Sequence, residues 1–461
     1  MKFNFKSPKK GFSHSLYSCL VCILAVALAV GVNLFASSLP VKTTKLDTTA
    51  MGLHTLSDST TDFVSSITDD IDIYLLCQKG EENTTVTDML DRYADLNEKI
   101  HISTVDPAVN PDFAKQYVDG TVANNTIVVN SQKRFQVIEY SKIATYTAYK
   151  GEEYLNSALD YVTTDTLPVV YALTGHGEKQ ADSTLEATFA RSGVQLKELN
   201  LLSENAVPND ANAVFIYSPQ KDLNDNEKSI LLKYIENSGS LMLITDYNFS
   251  SLPNLSDVMA QYGVKAPDGI VVEGTEGMSI NGYPYYILPQ ISARSEITKD
   301  LSSGGNYVLL PLAQAIEKTE NARDTVKVTD LLTSSANSFL VDDSSSADAS
   351  SSEQGPFSVG VSIEEKYDST DSKIVWFTTS YLLDSDMDNT VGGTNSQLFV
   401  NSLNYLCGKD TAYTSEGKAL STENLTMTTS QSRNFKAVII GIIPAAVLIA
   451  GAVVWHRRRN R

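Results

Sequence analysis

Basic residues, cysteines and histidines are all scarce in this 461-residue chain, and each scarcity removes a class of function. Lysine and arginine number 36 against 55 acidic residues, for a net charge of −19. Part of the basic charge sits at the two ends. Lys2, Lys6, Lys9 and Lys10 open the chain, and Arg457, Arg458, Arg459 and Arg461 close it, so the region between them is more acidic than the whole. A nucleic-acid binder needs a basic face to neutralise phosphates, and a surface that adheres to anionic lipid needs the same. The central region lacks one. Four cysteines are too few for a disulfide scaffold. Cys19 and Cys22 lie in an apolar run, and Cys77 and Cys407 have the apolar neighbours of buried thiols. The five histidines (His14, His54, His101, His176 and His456) are scattered, with no pair at metal-ligand spacing. No metal and no cofactor are expected. There is no G-x-x-x-x-G-K-S/T phosphate loop and no G-x-S-x-G nucleophile elbow.

What the sequence does contain is apolar surface. It is 42% hydrophobic and 20% charged, enough to bury real cores. Two uncharged runs stand out, residues 16–36 and 437–455. Each is long enough to cross a hydrocarbon core of about 30 Å as a helix rising about 1.5 Å per residue. The basic segments 1–15 and 456–461 flank them on the outside. By the positive-inside rule both termini are then cytoplasmic, and everything between is extracytoplasmic. A cleaved signal peptide is the alternative for the first run. The run exceeds a usual signal core, and no clean A-x-A site follows it, which favours a retained anchor. The expectation is a two-pass protein of the cell membrane.

The outer region divides by composition and periodicity. Residues 37–68 are a polar connector, with a short helix from about 57 to 67 capped by Ser57. Across 69–140 the pattern is strand (71–77), helix (87–96), strand (100–105), short helix (112–118) and hairpin (126–129 with 136–139). That is a thioredoxin-like order, but no C-x-x-C lies in it, so it reads as a non-catalytic shell. Residues 141–166 form a helical connector. From 167 to 410 strands and helices alternate, with strands at 169–173, 196–202, 213–217, 240–245 and 269–272 and helices at 183–191, 225–236 and 255–262. Such alternation predicts a doubly wound parallel sheet with helices on both faces. Later strands at 307–310 and 373–377 and a closing helix at 396–406 complete this domain. Its Ser-rich stretch 342–354 has almost nothing to bury and reads as a flexible loop. Residues 411–436 are a polar tether to the second apolar run.

One polar constellation is dense. Thr174, Gly175, His176, Gly177 and Glu178 follow directly on the strand 169–173. Ligands of open parallel sheets bind outside the carboxyl ends of the strands. Ser218 and Asp246 end other expected strands and can line the same edge. Three readings stand for these residues. They are a tight glycine turn whose polar groups bond locally, a ligand site, or a catalytic site in which Glu178 orients His176.

The order of features resembles the GldG-like family, the accessory membrane subunits of gliding-motility ABC transporters, and the wider group of uncharacterised ABC-type transport systems. The stretches that carry the resemblance are VNLFASSLP after the first run, LHTLSDST, VVYALTGHGE, VPNDANAVFIYSPQKDLNDNEKSILLKYIENSGSLMLITD, DGIVVEG and the terminal apolar run. The resemblance implies that the second domain is similar to class I glutamine-amidotransferase folds without their nucleophile. It implies no catalytic residues. It also implies separate ATPase and multi-span permease chains. Consistent with that, two apolar spans build no substrate path and no phosphate loop is present. The leading reading is therefore a non-enzymatic auxiliary subunit of an export system that holds a substrate or envelope partner near the permease. The rival readings are a surface hydrolase using His176, Glu178 and Asp246 with Ser218 as nucleophile, and an adhesin or sensor that works without a transporter. Without a phosphate loop, the purified chain should neither bind nor hydrolyse ATP. Calorimetry with magnesium and ATP checks this, and stoichiometric binding overturns it.

Overall fold

The computed structural model describes residues 55–409 except 119, 145–147, 303–304, 320–322, 342–352 and 367–370, together with isolated positions before residue 32 and after residue 417. The two apolar runs, the basic ends, the tether 411–436 and the connector up to residue 54 thus lie outside the described residues apart from those positions. Among the described residues no helix is long and apolar enough to cross a membrane.

The first part begins with helix α1 (Asp58–Ser66), whose N-cap Ser57 accepts from the Thr60 N–H at 3.2 Å. Strand β1 (Ile71–Leu76) and helix α2 (Thr84–Leu96) follow. Asn83 caps α2 by accepting from the N–H groups of Thr85 and Val86. The helix buries Val86, Met89, Leu90 and Tyr93, a single stripe at helical spacing. Strands β2 (Ile100–Val105), β3 (Thr126–Asn130) and β4 (Phe135–Ile138) complete a sheet of order β2-β1-β3-β4. In it β1 runs parallel to β2, and β3 is antiparallel to both β1 and β4. The short helix expected at 112–118 is the single turn Pro111–Ala114.

Helix α3 (Gly151–Thr163) falls in the stretch expected to be a connector, yet it is packed on both sides. Toward the first sheet it buries Leu155, Leu159 and Val162, and its Asn156 accepts from the Tyr93 hydroxyl (2.7 Å) while donating to Thr60 Oγ1 (2.6 Å). Glu152 Oε1 accepts from both the N–H and the hydroxyl of Ser57, at 2.8 and 2.6 Å. Toward the second part, Glu153 pairs with Arg191 at 3.0 Å, both side chains being buried.

The second part contains β5 (Val169–Leu173), α4 (Ser183–Arg191), β6 (Gln195–Leu199), β7 (Ala211–Tyr217), α5 (Asp225–Glu236), β8 (Ser240–Ile244), α6 (Pro253–Gln261), β9 (Ile270–Val272), β10 (Gln290–Ile291), β11 (Val326–Thr333), β12 (Phe339–Val341), β13 (Ser358–Lys366), β14 (Asp371–Phe377) and α7 (Thr394–Leu406). An eight-stranded sheet has the order β10-β11-β13-β14-β8-β7-β5-β6. The strands from β14 to β6 are parallel. Successive residues of these strands enter opposite cores, as the two-residue period of a strand requires. Ala213, Phe215, Met242, Ile244, Val375 and Phe377 pack with α4 and α7. Val214, Ile216, Leu241, Leu243, Ile374 and Trp376 pack with α5 and α6 on the other face.

The expectation of a wholly parallel sheet needs correction. β13, β11 and β10 extend it by antiparallel pairing, Val361 opposite Trp376 and Val328 opposite Ile363. The strand expected at 269–272 is also displaced. β9 leaves the main sheet and pairs antiparallel with β12, Val271 opposite Leu340. Of the strand expected at 307–310 only Leu310–Pro311 forms, and Tyr307 is exposed. The Ser-rich stretch is shorter than 342–354 at its far end. Gln354 bridges Phe339, and the Leu340 N–H donates to the Glu353 carbonyl at 3.2 Å. Cys77 and Cys407 are free thiols, and burial raises the pKa of each.

A buried ion pair that loses one partner leaves an uncompensated charge, at a cost of about 3–5 kcal/mol. Glu153→Ala should therefore destabilise the protein by about 3 kcal/mol or more in chemical denaturation, whereas breaking the exposed Lys265–Glu317 pair should produce no measurable shift.

Candidate functional site

The carboxyl ends of β5, β7, β8 and β14 place the sequence-predicted residues along one sheet edge, but in two separate clusters. The first is the turn after β5. Thr174 continues the strand outward, its N–H donating to the Leu199 carbonyl at 2.8 Å. Gly175 and Gly177 then take φ of +115° and +73°, the left-handed region that glycine enters without strain. A Cβ on Gly177 would also come within 3.2 Å of the Gln220 side chain. The reversal turns the His176 side chain inward, where it is 4% exposed.

Both imidazole nitrogens of His176 meet carboxylates. Nδ1 lies 3.0 Å from Glu178 Oε1, and Nε2 lies 3.0 Å from Glu227 Oε2. The His176 N–H adds a third bond, to Glu178 Oε2 at 2.7 Å. The doubly protonated ring can donate to both carboxylates at once, whereas a neutral ring can donate to one. The hydrogen bond to the Glu178 carboxylate raises the His176 pKa, with Glu227 acting in the same sense and burial opposing them. Glu227 belongs to the capping box of α5, with the Asn224 N–H donating to Glu227 Oε2 and the Glu227 N–H to Asn224 Oδ1. The His176 ring thus ties the β5 turn to the N-terminus of α5. The His176 carbonyl completes the tie by accepting from the N–H groups of Gln220 and Lys221, each at 2.9 Å.

The second cluster joins Ser218 and Asp246. Ser218 ends β7 with φ +51°, is fully buried, and donates its hydroxyl to Asp246 Oδ2. Asp246 Oδ1 accepts from the Ser380 N–H at 2.8 Å, and Lys179 Nζ donates to Ser380 Oγ at 2.5 Å. Gln220 bridges the clusters, donating through its side chain to the Ser218 carbonyl (2.9 Å) and Oγ (3.1 Å). His176 therefore pairs with glutamates, while the Ser218 hydroxyl is bound to a carboxylate. A nucleophile needs a base within hydrogen-bond reach and an open approach for the substrate, and Ser218 is fully buried with Asp246 as its acceptor. Among the described residues no group of His, Cys, Asp and Glu is arranged to hold a metal.

Sequence reasoning missed Glu227, Gln220, Lys179 and Ser380. Glu227 carried a signal in the Asn224–Glu227 spacing of a capping box. Ser380 stands in the hydroxyl run Thr378, Thr379, Ser380 that follows β14. Gln220 and Lys179 carried none.

A group whose folded pKa is raised contributes stability below its unfolded value, about 6.5 for histidine, and loses it as pH rises through the folded value. The melting-temperature gap between the native protein and His176→Gln should therefore be widest near about pH 6 and narrow toward about pH 9. A gap that stays constant, or widens with pH, contradicts the imidazolium clamp.

Comparison with known proteins places these parts. Residues 50–145 match a domain family of unknown function, DUF7088. No curated protein matches the chain. Among solved structures, the mmIFT52 N-terminal domain is similar at 12% identity over 52% of this chain and 98% of its own, with a TM-score of 0.40. PurLQS from Thermotoga maritima is similar at 12% identity over 52% of this chain and 100% of its own, with a TM-score of 0.29. A putative GMP synthase protein from Thermoplasma acidophilum aligns at 10% identity over 54% of this chain and 100% of its own, with a TM-score of 0.28. Scores this low support no conclusion about this chain. The sequence family described as "ABC-type uncharacterized transport system" matches residues 167–408, more than half of the chain, and the chain belongs to that family.

Proposed function

We propose that this chain is a non-catalytic auxiliary subunit of an ABC-type export system, anchored by the runs 16–36 and 437–455 with both termini cytoplasmic and residues 37–436 outside. A separate ABC ATPase and a multi-span permease complete the system, and the outer module holds a substrate or an envelope partner near the permease. The family match over residues 167–408 carries this reading, and an accessory role in ABC-type transport follows from it. The two-pass anchoring and the outward direction rest on the charge pattern and on the GldG-like stretches of the sequence. The thioredoxin-like reading of 69–140 draws on the β2-β1-β3-β4 order, and the amidotransferase-like reading of 167–410 draws on the five-strand parallel half of the large sheet.

The non-catalytic part of the proposal is supported by the sheet edge. Both nitrogens of His176 and the hydroxyl of Ser218 are engaged by carboxylates, so the groups a hydrolase would need are occupied with structural bonds. Extraction of the intact protein in mild detergent is expected to bring along a P-loop ATPase and a multi-span permease, identified by mass spectrometry. Recovery of this chain with neither overturns the transporter assignment.

A further inference from the structure

A cleft of about 710 Å³ lies between the first sheet, α3, α4 and the N-terminus of α7. It shares no residue with the His176 and Ser218 clusters. Its walls differ in character. Tyr117, Phe135 and Val137 supply an apolar side, with the rings of Tyr117 and Phe135 edge to face at 5.1 Å. The lining also carries Lys142, Lys150 and Arg191 together with Glu139, Glu186 and Asp388.

Two of these cations, Arg191 and Lys150, stand out. Arg191, 8% exposed, lines the cleft with its guanidinium stacked over Tyr154. Its Nη1 is used by Glu153 and Gln397, at 3.0 and 3.1 Å, but its buried Nη2 has no partner. A buried guanidinium nitrogen left without an acceptor costs free energy that an acceptor would recover. Lys150, also in the lining, forms no ion pair among the described residues. Its ammonium lies 3.0 Å from the point that a Cβ on Gly393 would occupy. Gly393 is the N-cap of α7, with φ +84° and no capping side chain. The lysine charge thus stands against the positive end of a 13-residue helix. Asp388 is the anion already at that end, its Oδ1 accepting from the Ser396 N–H at 2.9 Å and its charge acting on Arg191. The remaining acids in the lining, Glu139 and Glu186, are exposed and lie outside these contacts.

The geometry points to a binding site for a small molecule that carries one oxyanion, carboxylate or phosphate, on an apolar body. Arg191 Nη2, the Lys150 ammonium and the α7 N-terminus would hold the oxyanion, and Tyr117 and Phe135 would cover the body. Planar forks and helix N-termini are the groups that recognise both kinds of oxyanion. This inference stands apart from the transporter assignment, because a subunit with any partner can carry it.

The test is calorimetric titration of the full-length protein in detergent with phenyl phosphate, with benzoate, and with uncharged benzamide. At least one anionic probe should bind with a dissociation constant on the order of a millimolar or tighter, and which one binds decides between phosphate and carboxylate. Benzamide should bind at least about tenfold more weakly. Lys150→Gln should weaken the anionic probe by about tenfold or more and leave the melting temperature unchanged. If Lys150→Gln melts early, Lys150→Arg, which keeps the charge, should restore both melting and binding. The site is refuted if neither anion binds, if benzamide binds equally well, if Lys150→Gln binds like the native protein, or if Lys150→Arg restores melting without restoring binding.

Discussion

A parallel sheet covered on both faces confines its polar chemistry to its ends, and that constraint organises the larger part of this molecule. Each inner strand sends alternate side chains into two separate cores, Phe215 and Met242 to one, Val214 and Leu241 to the other. Burial of such side chains is worth roughly 1.5–3 kcal/mol each, so both faces must carry helices, and α4 and α7 on one side with α5 and α6 on the other meet that need. An uncompensated polar group inside either layer would cost a comparable amount. The histidine, serine and carboxylates therefore gather where the strands end, which is also where related architectures place their ligands.

Along that edge most of the polar groups bond to one another. His176 shares its protons with Glu178 and Glu227, and Asp246 takes the Ser218 hydroxyl and the Ser380 N–H. Networks of this kind rigidify when complete and are costly when partly broken. The edge of this sheet works as a set of rivets between the turn after β5, the cap of α5 and the turn after β14. Unmet polar demand remains on this edge at Glu227 Oε1 and beside the cleft at Arg191 Nη2, both buried without a partner.

How much of this is legible in the sequence depends on how locally each feature is encoded. The strand Val169–Leu173 and the helices Ser183–Arg191 and Asp225–Glu236 fall where their patterns put them, because a continuous apolar run and a capped helical stripe are written in consecutive residues. Strands β11 and β13 escape such a reading. Val326–Thr333 is only half-buried along much of its length, and the Ser-rich stretch between the two strands conceals that they are neighbours. The Ile270–Val272 strand is visible in the sequence but its sheet is not, since an apolar tripeptide does not record its partner. At the site, the sequence puts Ser218 and Asp246 on one edge, and the two are joined there by a hydrogen bond. The Glu227 contact lies 51 residues from His176 and depends on the helix that delivers it.

Helix α3 belongs to neither half alone. Its Asn156 is locked to Tyr93 and Thr60 of the first part, while Asp160 on the same helix receives Lys409 from 249 residues further along the chain. Contacts of such separation close late, because the entropy of ordering a long loop must be met before the contact forms. Helix α3 can thus dock on the first part through Asn156 and Glu152 before its Asp160 receives Lys409 from the far end of the second part. A chain truncated before Lys409 would lose that tie and leave α3 held to the second part through Glu153 and Arg191.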